Sequence, residues 1–67
     1  MTITVNEQSH SWPEQSLTVR EILARLNFSF PLIVVRLDGQ LVPKSDYDSV
    51  AVPDGARMEA IHLISGG

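Results

Sequence analysis

One group in this sequence could do chemistry without help from any side chain, and it belongs to the backbone. It is the α-carboxylate of Gly67, which follows Gly66 in the run HLISGG. A free carboxylate is ionised near neutral pH and inert toward acyl transfer, because its oxygen leaves poorly. Joined to the α-phosphate of ATP it would become an acyl adenylate, and substitution at its carbonyl carbon would then be easy. Gly66 and Gly67 suit that task because, without Cβ atoms, they can thread a narrow channel and adopt backbone angles closed to other residues. Ordering a flexible tail costs about 1–2 kcal/mol per residue, so a folded body must supply the docking surface.

The side chains compete poorly with that carboxylate. His10 and His62 titrate nearest neutrality, but they fall in separate strand-like runs with no metal-ligand spacing. A surface or half-buried structural role is the default for each. Asp46 and Asp48 flank Tyr47 in a polar stretch and read as turn and cap groups. A catalytic carboxylate pair would need enclosure to raise one pKa, and 67 residues leave little chain for walls. Cysteine is absent, which excludes disulfides, thiolate metal sites and thiol nucleophiles. No serine has a plausible base, and there is no glycine-rich phosphate loop or zinc pattern. The sequence therefore predicts a chain that is not itself an enzyme, with no catalytic residue, metal site or bound cofactor.

Charge and hydropathy narrow the partners. Net charge is −3, and the five basic residues are scattered, whereas nucleic-acid binding wants a concentrated positive face. The acidic balance reads as a solubility feature, or as modest steering toward a basic partner. MTITVNEQ lacks the basic and apolar regions of a signal peptide, and no run approaches the roughly 20 apolar residues of a membrane span. With no cysteine staples, the expected location is the cytoplasm. The expected organisation is a single domain over residues 1–67, burying about 60% of its unfolded surface, with a flexible tail from about residue 65.

The elements that must hold the tail can be read in order. TITVN alternates, with Ile3 and Val5 on one face and Thr2 and Thr4 on the other. NEQS can turn, and SHSW returns as a short strand before Pro13 ends it. Val19, Ile22, Leu23 and Leu26 then fall at i, i+3, i+4 and i+7, the stripe of an amphipathic helix. Thr18 and Glu21 form a capping box, with Leu17 and Ile22 placed as a hydrophobic staple. Arg25 suits the helix C-terminus, Asn27 can take a left-handed position, and Pro31 forbids re-entry.

LIVVRL, followed by Asp38–Gly39, signals a hairpin, with Ile33, Val35 and Leu37 inward and Arg36 in water. QLVP returns, KSDYDS crosses irregularly with Tyr47 as its large anchor, PDG at 53–55 turns, and RMEAIHLI is the final strand. In that strand Met58 and Ala60 face the helix, leaving Ile61 and Leu63 on the other side. With Val34 on the neighbouring strand, they would form an exposed apolar patch for a partner. The alternative is that Ile61 and Leu63 merely cover the end of the sheet. A hairpin, a helix and a second hairpin imply an α+β fold with one main helix on one face of a mixed sheet. First and last strands would run parallel in its middle, which is the ubiquitin-like β-grasp arrangement.

From end to end the chain resembles the ThiS-type sulfur carriers of thiamine biosynthesis. The matching segments are VNEQ after the first strand, LTVREILARL in the helix, VVRLDGQLVPKSDY in the central hairpin and DGARMEAIHLISGG at the end. Ser65 stands where many relatives have a third glycine or alanine, and HSWPEQS is longer and bulkier than the usual link into the helix. The resemblance implies that Gly67 is adenylated by a ThiF-type enzyme using ATP and magnesium, while Gly66 and Ser65 thread its active site. It implies conversion to a thiocarboxylate, with sulfur relayed from a cysteine-persulfide donor system, and transfer to a ThiG-type thiazole synthase. Two relatives of the same build are a MoaD-like small subunit of molybdopterin synthase and a ubiquitin-related modifier conjugated to lysine. A third reading, from another class, is a β-grasp interaction domain whose glycines are incidental.

Overall fold

The β-branched residues of TITV favour extended backbone, and the strand they form buries Ile3 and Val5 while Thr2 and Thr4 face away. The computed structural model describes residues 1–29 and 32–63. In it β1 (Thr2–Val5) pairs antiparallel with β2 (Gln8–Ser11). Asn6 and Glu7 join them at φ of 51° and 69°, the positive pair that a two-residue type I′ turn requires. Trp12 continues the pairing by one step, its N–H donating to the Met1 carbonyl at 2.9 Å.

The helix follows a two-residue strand, β3 (Leu17–Thr18), and runs as α1 from Val19 to Arg25. Its start is the expected capping box. The Thr18 hydroxyl accepts the Glu21 N–H at 3.2 Å, and the Glu21 carboxylate accepts the Thr18 N–H at 2.9 Å. Leu17 and Ile22 are both buried, as a staple needs. Its end is a Schellman motif. Asn27 sits at φ 59°, the Phe28 N–H donates to the Leu23 carbonyl at 2.8 Å, and the Asn27 N–H donates to that of Ala24 at 3.2 Å. The expected stop at Pro31 lies outside the described residues.

After the helix come β4 (Ile33–Leu37), β5 (Gln40–Val42), a one-turn 3₁₀ helix (Lys44–Asp46), β6 (Ala51–Val52) and β7 (Arg57–His62). Asp38 and Gly39, at φ 49° and 84°, turn β4 into β5. The main sheet has the order β2-β1-β7-β4-β5, with β1 parallel to β7 and the other pairs antiparallel. The first and last strands thus lie side by side in the middle, as the α+β reading expects. Val19, Ile22 and Leu23 of α1 join Ile3, Val5, Val35, Val42, Met58 and Ala60 of the sheet in one buried cluster. Leu26 is only half-buried because it is the C-cap, where the helix face begins to turn from the sheet.

The irregular crossing holds more structure than its sequence suggests. Lys44–Asp46 form the 3₁₀ turn, and the Asp46 carbonyl accepts the Ser49 and Val50 N–H groups. Tyr47 is buried, as expected of the anchor. Ala51 and Val52 pair with Thr18 and Leu17 in a separate two-stranded sheet, which ties the crossing to the helix entry.

Candidate functional site

The face of the main sheet away from α1 is built by strand parity. In β7 the even residues Met58 and Ala60 are buried, so Arg57, Glu59 and Ile61 project from the opposite face. The register places Ile61 across from Val34 and Glu59 across from Arg36, while Arg36 lies across from Leu41. One step further, the Leu63 N–H donates to the Leu32 carbonyl at 2.9 Å.

The surface that results is divided. Leu32 (51% exposed), Ile61 (43%) and Leu63 (47%) surround the half-buried Val34, and Leu41 (65%) lies one strand out. Arg36, Glu59 and Arg57 border this apolar area, Arg57 and Glu59 as an ion pair of 3.6 Å. Beyond them the face is hydroxylic: Thr2 stands opposite Ser11 and Thr4 opposite Ser9, with the Thr2 and Ser11 hydroxyls 2.8 Å apart. An apolar area rimmed by charge is the anatomy of a protein-docking surface.

Ile61, Leu63 and Val34 therefore lie together on this face, and the fold adds Leu32 and Leu41 to them. Both additions were available from the sequence. Leu32 shares the parity of Val34, and a two-residue turn at Asp38–Gly39 puts Leu41 opposite Arg36. The other expected positions, Ser65, Gly66 and Gly67, lie outside the described residues.

The histidines are not brought together. His10 stands opposite Ile3 and stacks on Trp12, with ring centroids 5.7 Å apart and planes within 8°. His62 pairs with Ile33 at the far end of β7. Asp48 pairs with Arg20, whose guanidinium also lies 5.8 Å over the Tyr47 ring. Among the described residues no three His, Cys, Asp or Glu side chains converge on a common point. Among the same residues no helix is long and apolar enough to cross a membrane.

One residue that sequence reasoning passed over as a turn former is Asn6. Its Oδ1 accepts the Ala60 N–H at 2.9 Å and its Nδ2 donates to the Ala60 carbonyl at 3.0 Å. The partners are 54 positions apart in the chain, so no local pattern announces the contact.

Comparison with known proteins places this architecture. The ThiS family model matches residues 2–67. A crystal structure of the thiamine biosynthesis protein ThiS from Geobacter metallireducens superposes with a TM-score of 0.88 at 29% identity, covering all of both chains. A solution NMR structure of a thiamine biosynthesis protein from the same organism gives 0.80 at 30% identity, covering all of this chain and 88% of that one. A thiazole synthase from Paramagnetospirillum magneticum is 33% identical over all 67 residues. The chain spans only 20% of that relative's length. The chain belongs to the ThiS family, the small sulfur carriers of thiamine biosynthesis.

Proposed function

We propose that this chain carries sulfur as a thiocarboxylate on Gly67 and delivers it for thiazole formation. The observation that supports this most is the family match, which extends through Gly67. In the proposed cycle the Gly67 carboxylate attacks the α-phosphorus of ATP on a ThiF-type enzyme and pyrophosphate leaves. The enzyme, not this chain, uses the magnesium that accompanies ATP. AMP is then the leaving group that the carboxylate lacked. The outer sulfur of a cysteine persulfide attacks the acyl carbon, AMP departs and an acyl disulfide forms. A second thiol cleaves its S–S bond, supplying the two electrons that leave a thiocarboxylate on Gly67 and a disulfide on the donor. Gly66 and Ser65 are the residues small enough to follow Gly67 into the enzyme.

The chain's own contribution is docking and presentation. Ile61, Leu63 and Val34, with Leu32 beside them, would seat against the activating enzyme and then against the acceptor. Likeness to part of a thiazole synthase supports a ThiG-type synthase as that acceptor. The test is intact-mass spectrometry after incubation with a ThiF-type enzyme, ATP, magnesium, a persulfide source and a reducing thiol. Exchange of one oxygen for sulfur, mapped to the C-terminal peptide, is the expected result. Equal sulfur transfer by a variant extended beyond Gly67 and resistant to trimming would overturn it.

A further inference from the structure

As a central strand β7 is bonded by β1 on one edge and β4 on the other, and β1 runs out before β7 does. The ladder pairs Thr4 with Arg57 and Val5 with Met58, and the Asn6 N–H still donates to the Met58 carbonyl at 3.0 Å. The backbone then leaves the sheet at the positive φ angles of Asn6 and Glu7. Ala60 is the next residue of β7 whose N–H and C=O point toward β1. It is buried, and a buried N–H or C=O left without a partner loses its hydration for nothing in return.

The Asn6 carboxamide takes the place of the missing strand, one bond as donor and one as acceptor. Two independent demands meet at this position. Positive φ favours Asn among residues with a side chain, and the rung needs a planar group with one donor and one acceptor on a single methylene. Glycine satisfies the first demand only. Aspartate satisfies it too, but its carboxylate has no proton for the Ala60 carbonyl. Beyond Ala60, β7 is held from the β4 side, by the pairing of Ile61 with Val34 and the bond from Leu63 to Leu32.

We propose that Asn6 is a positioning residue for the carrier's reaction: its carboxamide is the last rung on the β1 side, and it holds β7 at Ala60 in the register on which the outward placement of Ile61 and Leu63 depends. The inference rests on the carrier reading for its purpose, though not for its geometry. A one-residue slip of β7 would move Ile61 and Leu63 to the opposite face, so the same rung also keeps the docking residues outward.

The experiment uses the full chain with Asn6→Gly and Asn6→Asp. Gly retains the turn and removes the rung, while Asp carries a rung that depends on pH. Amide hydrogen exchange, expressed as protection factors, should show Ala60 and Leu63 losing protection about tenfold or more in Asn6→Gly. The helix amide of Leu26, bonded to Ile22, serves as the internal reference and should change far less. In Asn6→Asp the carboxylate still accepts the Ala60 N–H but cannot donate to the Ala60 carbonyl. The loss should therefore fall on Leu63 near neutral pH and be reversed as the pH falls through about 4, where the carboxyl gains a donor.

Adenylation by a ThiF-type enzyme should lose about tenfold or more in kcat/KM in both variants near neutral pH. Unaltered protection at Ala60 in Asn6→Gly overturns the proposal, as does a uniform loss across all amides. A deficit in Asn6→Asp that ignores pH overturns it too. A wild-type chain that accepts no AMP would refute the carrier reading instead, and the exchange pattern would then decide the rung by itself.

Discussion

Val34 stands directly across from Ile61 in the β4–β7 ladder, and both side chains project from the sheet face opposite α1. Neither supports the core, so both can be changed without opening it. Ile61→Asp is expected to weaken binding to a ThiF-type enzyme by about fivefold or more, the effect of losing a contact worth above ~1 kcal/mol. Circular dichroism should show an unchanged fold. Ser9→Asp, on the hydroxylic half of the same face, should leave the affinity near that of the parent. Equal affinities for parent and Ile61→Asp in a calorimetric titration would remove this area as the docking surface.

Helix α1 has its start specified by two reciprocal bonds and its packing by a buried stripe. Thr18→Ala removes the acceptor for the Glu21 N–H and should cost about 0.5–2 kcal/mol. Leu23→Ala empties a buried site and should cost about 2–5 kcal/mol, a large share of a small domain's stability. Urea midpoints measure both. A Thr18→Ala midpoint equal to the parent's would show that the box adds nothing.

The parts of this fold that could be read from the sequence are those with a local signature. Thr18 and Glu21 are three apart, Asn27 follows the last stripe residues, and Asp38–Gly39 lies between two alternating runs. Each encodes its bond partner within a few positions. The β3–β6 pair could not be read, because two-residue strands such as Leu17–Thr18 and Ala51–Val52 have no period. Nor could the Asn6–Ala60 rung, which exists only once the first and last strands meet. The apolar face lies between these cases. The parity of Ile61 and Leu63 was plain, and Leu32 and Leu41 followed from registers that the turn had already set.

Glu14 and Arg25 link the loop before the helix to its last turn. The Arg25 Nη1 lies 2.9 Å from Glu14 Oε1, and Nη2 bonds Oε2. Hydrogen bonds from this guanidinium hold the Glu14 carboxyl below its ordinary value of 4.5. A lowered folded-state pKa means that the unfolded chain takes up its proton first as the solution is acidified. The pair's contribution is therefore complete above the ordinary carboxylate range and is lost as pH falls through the lowered value. Because the pair is exposed its effect is modest. Glu14→Gln should lose part of the decline in urea midpoint between roughly pH 5 and 3. Parallel midpoint curves for variant and parent would contradict this.

Tyr47 should show the opposite limb. Its ring is buried and its hydroxyl donates to the Ile33 carbonyl at a long 3.4 Å. Burial raises its pKa above 10.0, opposed by the nearby Arg20 charge. The unfolded chain then loses its phenolic proton first, so Tyr47 lends stability that is complete below about pH 10 and is lost as pH rises toward the raised folded value. Tyr47→Phe keeps the ring and should flatten the alkaline decline, while Tyr47→Ala should cost about 3–5 kcal/mol at neutral pH, as for other large aromatic truncations. Midpoints for parent and Tyr47→Phe that fall together above pH 10 would show that another group governs that limb.

Gly67 is the residue on which the carrier reading stands, and its chemistry can be separated from the fold. Every buried apolar side chain among the described residues lies between Ile3 and Ala60, so an edit at Gly66 or Gly67 removes none of those side chains. Deleting Gly67, or adding one residue after it, should abolish adenylation while shifting the melting temperature by no more than about 2–4 °C, the equivalent of about 0.5 kcal/mol in a domain of this size. Gly66→Val should fold equally well and fail for a different reason, because a β-branched side chain restricts the backbone angles and widens the segment that must enter the enzyme. Both failures can be told apart from a loss of docking by binding. All three variants keep Ile61, Leu63 and Val34, so they should still dock on the activating enzyme and compete with the parent chain. Pyrophosphate release measures adenylation, and competition measures docking. A Gly66→Val chain that releases pyrophosphate at the parent's rate would show that narrowness at this position is not what the glycine provides.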